Sequence, residues 1–169
     1  MKSANFSLAV AVISLDLWQP ALAQQSMTPV EPQEFARQAA MSNLFELKAA
    51  DLARQRGKAE QVLEFADRMK TDHSRAGKDL AEAARKEGVE LANTLDKAGE
   101  EKLTALNALK GGEFDPAYLS SQVTAHETAV ELFGYYAEHG QAGALKAFAE
   151  ATYPTLRMHL IQVQSLTSP

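Results

Sequence analysis

The chain has 169 residues, with 17 basic against 22 acidic side chains for a formal net charge of −5, no cysteine, one tryptophan and four histidines. That is one domain's worth of chain, and without cysteine there is no disulfide, thiolate nucleophile, cysteine-held zinc or iron–sulfur site, or lipid-modified N-terminal cysteine. A pI near 5.4 argues against a nucleic-acid partner, because neutralising phosphates takes a concentrated basic face.

The N-terminus reads as an address. Met1-Lys2 opens it, Phe6 to Leu17 is mostly apolar, and Ala21-Leu22-Ala23 places small residues where a signal peptidase cleaves. The apolar run is about a dozen residues, short of the roughly 20 that a spanning helix needs, and it contains Asp16. Residues 1–23 are therefore expected to be a secretory signal cleaved after Ala23, which takes away Trp18 and leads to a periplasmic or secreted protein. Residues 24–31 read as a disordered lead-in and residues 32–169 as the folded domain. No later segment has the composition of a transmembrane helix.

Five helical stretches follow, separated by glycine and proline. The first is expected over 32–56, with Pro32 in the first turn, where its missing N–H costs nothing. The second runs over 58–87 and ends on Arg85-Lys86 before Gly88. A short one occupies 96–110, closed by Gly111-Gly112. The fourth starts at Asp115-Pro116, read as a capping acid and a first-turn proline, and ends at His139-Gly140. The fifth covers 144–166 and has Pro154 inside it, where a kink is expected. Helix-favouring residues dominate throughout. Four long helices and one short one predict an all-α four-helix bundle, with the short helix in a long connection between the second and third long helices.

Each long helix has an apolar seam at steps of three and four. One ligand-type side chain interrupts each seam near its middle: Glu46, His73, His126 and His159. At 1.5 Å per residue, Glu46 and His73 lie about 16 and about 22 Å from the Gly57 turn. His126 also lies about 16 Å from that end if the connection carries the chain back to it, and His159, about 27 Å past the Gly140 turn, returns to the same zone. One carboxylate and three imidazoles are thus expected to converge.

Several of these residues carry a family likeness. Phe45-Glu46 followed by Ala53, Phe65-Ala66-x-x-Met69 before Asp72-His73, Phe114-Asp115-x-x-Tyr118 before His126, and His159 near the C-terminus resemble the bacterial domain of unknown function family 4142. The resemblance implies an exported protein, of a kind often labelled a predicted outer membrane protein, with a ferritin-like bundle. A di-iron carboxylate site of that fold would need a Glu from each of two helices and Glu-x-x-His from each of the others. Glu46 fits, but Lys70 and Leu156 stand three residues before His73 and His159, and His126 replaces the third-helix carboxylate. A di-iron oxidase or iron store is disfavoured.

The four seam residues carry two readings. One is a metal-free network in which Glu46 accepts hydrogen bonds from the histidines, with help from Tyr118, Tyr136 or Tyr153, and fixes helix register. The other is a site for one Zn, Cu, Ni or Fe ion, since imidazole and carboxylate suit these metals. Asp72, beside His73, cannot share its face and is at most an outer partner. His139, at a helix end, is given no ligand role. No catalytic residue is assigned. The expected function is that of a non-enzymatic binding or interaction module of the cell envelope, with an envelope protein as partner class. Its rival is a mononuclear metal-dependent oxidoreductase using the same cluster.

Overall fold

The computed structural model describes residues 30–168, so the expected signal segment 1–23 lies outside the described residues. Five α-helices are present: α1 (Pro32–Arg56), α2 (Glu60–Glu87), α3 (Lys97–Ala108), α4 (Phe114–His139) and α5 (Ala144–Thr167), with a 3-10 turn at Gly111–Glu113 before α4. There is no strand among the described residues. The bounds agree with the sequence expectation to within two residues, because the same residues that punctuate the sequence end the helices. Gly88 is left-handed at φ 67°, and the Val89 N–H reaches back to the Ala84 carbonyl to close α2. Of the expected lead-in 24–31, Val30 packs against the core, Glu31 offers its carbonyl to the Phe35 N–H, and the remainder is outside the described residues.

α1 packs on α2 and α4, and α5 packs on α4 and α2. Hydrogen bonds set the directions. Gln33, at the start of α1, pairs with the backbone of Glu90 just past the end of α2. Arg56, at the other end of α1, reaches the Asn107 side chain and the Asn107 and Leu109 carbonyls at the end of α3. The connection over 88–113 therefore climbs back to the Gly57 end, with α3 lying over α1 and α4, and α4 starts from that end. The long helices run up, down, down, up.

Two helix starts are capped from other helices. α2 has Ala59 at its cap position and no side-chain cap of its own. The Asp115 carboxylate on α4 accepts from the Lys58 N–H at 3.1 Å and the Ala59 N–H at 2.8 Å. Asp115 was expected to cap its own helix, but α4 begins one residue earlier, at Phe114, and the unmet amides of α2 claim the carboxylate instead. Likewise Glu87, the last residue of α2, accepts from the Leu145 N–H at 2.7 Å in the first turn of α5.

The interior falls into two apolar clusters. One, at the α1 N-terminal end, is built on Phe35, Leu80, Phe133, Tyr136 and Phe148. The other, at the Gly57 end, is built on Phe45, Phe65, Met69, Phe114 and Tyr118. The interrupting seam residues lie between them, where the histidines of α2, α4 and α5 meet.

Candidate metal centre

The three histidines are nearly fully buried at 6, 1 and 3 % exposure for His73, His126 and His159, and Glu46 is 2 % exposed. Their helices are antiparallel or shared neighbours, so one residue per seam at matched depth brings the rings together. Centroids are 5.8 Å apart for His73 and His126, 5.8 Å for His73 and His159, and 5.4 Å for His126 and His159. One ring nitrogen from each lies within 4.8 Å of the others, and these three residues form the group without Glu46.

Each ring is held from outside by one nitrogen. His73 Nδ1 lies 3.2 Å from Asn43 Oδ1 on α1, His126 Nδ1 lies 2.9 Å from the Gln122 carbonyl one turn earlier on its own helix, and His159 Nε2 lies 3.0 Å from Asp72 Oδ2 on α2. The partner atom is an oxygen acceptor in every case, so that nitrogen carries the hydrogen and donates it. The opposite nitrogens, Nε2 of His73 and His126 and Nδ1 of His159, are buried lone pairs with no hydrogen-bond partner. Burial, then repulsion from the other two rings, lowers the His73 pKa to about 3. Burial also lowers that of His159, against the pull of Asp72.

Asn43 reaches His73 because α2 has a glycine in its middle. A Cβ on Gly77 would lie 2.7 Å from Asn43 Nδ2. Glycine costs a helix interior about 1 kcal/mol relative to alanine, and here it opens the space that the outer partner of His73 fills.

Glu46 sits apart from this arrangement. Neither carboxylate oxygen has a hydrogen-bond partner, and burial raises its pKa, with His126 and the nearby Gln122 amide pulling the other way. The Gln122 amide and the Tyr118 hydroxyl, one and two turns before His126, are unpaired as well. The expected network, with Glu46 accepting from the histidines, is not formed. Tyr136 stacks on Phe35 at 3.9 Å in the far cluster, and Tyr153 packs against that cluster too. Among the described residues every unpaired buried side-chain polar atom except the Tyr136 hydroxyl belongs to the three histidines, Glu46, Gln122 or Tyr118. Each costs about 1–3 kcal/mol if left unmatched, against a total domain stability of about 5–15 kcal/mol.

The sequence reading missed Asn43 and Gln122 as partners. Gln122 lies on the α4 seam four residues before His126, and Asn43 lies three before Glu46 on α1, so helical spacing carried a signal for both. Asp72 takes the outer-partner role that adjacency to His73 left open to it. His139 is half-exposed at the end of α4, beside Glu138.

No described helix is long and apolar enough to cross a membrane. Comparison with curated proteins finds no match. The fold is similar to the crystal structure of a DUF305 fragment from Deinococcus radiodurans, with a TM-score of 0.71 at 13 % identity, covering 82 % of this chain and 97 % of that one. Residues 18–166 match the family model described as "Domain of unknown function (DUF4142)". That match spans both apolar clusters and all three histidines, and the chain belongs to this family.

Proposed function

We propose that this protein binds one transition-metal ion at the centre of the bundle, through His73, His126 and His159. The supporting observation is that one ring nitrogen from each of these three buried histidines lies within 4.8 Å of the others, and that every ring has one nitrogen with no hydrogen-bond partner. Three neutral imidazoles suit Zn, Cu, Ni or Fe, and imidazole binds zinc at about 2.0–2.1 Å. Asn43, the Gln122 carbonyl and Asp72 fix each tautomer, the usual outer support of a metal-ligating histidine. Glu46, buried beside His126, is the carboxyl available to offset the ion's charge. The ligand group contains no carboxylate among the described residues, which supports one ion over a di-iron pair. A binding role leads, and a mononuclear oxidoreductase built on the same cluster is its rival.

The single long crossover is the connection found in ferritin-like bundles, and it supports that reading of the fold. Export rests on the pattern of residues 1–23, and a mature N-terminus at Gln24 in the periplasmic fraction, read by mass spectrometry, is the expected result.

The metal reading is tested by loading tag-free protein separately with Zn, Cu, Ni and Fe, dialysing, and measuring metal per chain. One ion per chain is expected for at least one metal. A chain that keeps none of the four, or a triple His73→Ala, His126→Ala, His159→Ala variant that keeps as much as wild type, would sink it.

A further inference from the structure

The histidine layer adjoins both a buried carboxyl and a cavity. Toward α1 and α4 it meets Glu46 and Gln122, and α3 lies over those two helices from outside. His73 and His159 also line a cavity of about 30 Å³ whose wall is drawn from all four long helices, with Ser42 and Asn43 on α1 and Ala129 on α4. The rest of its wall is mainly apolar, including Ala129, Phe133, Phe148 and Leu156. A space this size exceeds the roughly 10–15 Å³ that one water needs, yet it is too small for any ring-bearing metabolite. Its apolar wall offers little to replace the hydration of a charged ligand.

Part of the cavity border lies at the α2–α5 surface. Asp72 and Thr155 border it and also border both surface grooves along that helix pair, one beside Arg75 and Asp79, the other beside Pro154 and Met158. The Asp72 side chain is 23 % exposed while its Oδ2 holds His159. One residue therefore touches solvent and a ring of the centre.

Three protein ligands leave a tetrahedral ion one open position. Glu46 stands outside the ligand group, and the cavity adjoins two of the three rings. We propose that the open position of the ion is a binding site for a small neutral ligand of two heavy atoms, the class of dioxygen, carbon monoxide and nitric oxide, admitted between α2 and α5 past Asp72 and Thr155. The inference rests on the metal reading above, and it adds a second ligand and a direction of approach. The small side chains Ala76 and Thr152 on the cavity wall set its size.

The probe is carbon monoxide on the copper(I)-loaded chain, read by the C–O stretch in the infrared with copper measured on the same sample. Wild type is expected to bind one carbon monoxide per copper. Ala76→Leu and Thr152→Leu, each filling the cavity from a half-buried position, are expected to keep the copper and to bind carbon monoxide at least ten-fold more weakly. If one variant loses its copper, the other carries the comparison. Copper-loaded wild type with no C–O band, or filled variants that keep copper and bind carbon monoxide as well as wild type, would overturn the inference and leave the metal reading standing. A wild-type chain that takes up no copper overturns both for that ion.

Discussion

On α2, α4 and α5 each buried histidine has one ring nitrogen tied to an oxygen and the other left bare. On α1 and the first half of α4, Glu46, Gln122 and Tyr118 are just as buried, and none of their polar side-chain atoms makes a hydrogen bond of good geometry, although the Gln122 amide lies near enough to Glu46 to pull its pKa down. The difference lies in the outer acceptor. An outer acceptor fixes the tautomer of a ring and leaves its other nitrogen as a lone pair, and the three rings meet closely enough for one nitrogen of each to lie within 4.8 Å of the others. Glu46 has no such tie, and burial favours its neutral form. One region has the make-up of the proposed metal site, and in its neighbour burial favours the protonated carboxyl.

The largest expected effect separates the two regions outright. His73→Ala, His126→Ala or His159→Ala each removes one of three ligands and should abolish stoichiometric metal after dialysis, whereas Glu46→Gln should retain it with weaker affinity. Equal losses in all four variants would merge the two regions into a single site. A smaller effect probes the outer ties. Asp72→Asn and Asn43→Ala should each lower metal affinity by about 10–100-fold. Gly77→Ala should do the same by pushing on Asn43, although alanine is the better helix former. Titration calorimetry checks all three.

The pH dependence of the metal-free protein sharpens the contrast further. The folded pKa of His73 is depressed from 6.5 to about 3. Its contribution to stability is therefore present above pH 6.5 and is lost as the pH falls toward 3, because the unfolded chain then binds the extra proton. The folded pKa of Glu46 is raised from 4.5, so its contribution is present below pH 4.5 and is lost as the pH rises through the folded value. Denaturant melts should show Glu46→Gln gaining on wild type toward alkaline pH and His73→Ala losing less than wild type toward acid. The smallest effect concerns the frame. Asp115→Ala removes the acceptor at the start of α2 and should cost about 1 kcal/mol with metal affinity unchanged.

The helices and their inward faces were readable in the sequence because glycine, proline and the three-four seam act locally. Glu46, His73, His126 and His159 are all buried as their seam positions require. The meeting of the three histidines was legible too, since depth follows from rise per residue. What could not be read was which oxygens hold the rings. Asn43 meets His73 across a 30-residue separation only because Gly77 leaves room, and Asp115 serves α2 rather than its own helix because Ala59 offers nothing there. Glu46 shows the same limit. Its depth is right, but depth does not say whether a side chain is aimed at its neighbours.

The central claim is that the three bare nitrogens ligate one ion. X-ray absorption of the metal-loaded chain tests it most directly. Three imidazole nitrogens at about 2.0–2.1 Å from a single metal, with the imidazole scattering reduced in His126→Ala, is the predicted result. An oxygen-only shell, or a spectrum that the histidine variants leave unchanged, would contradict it.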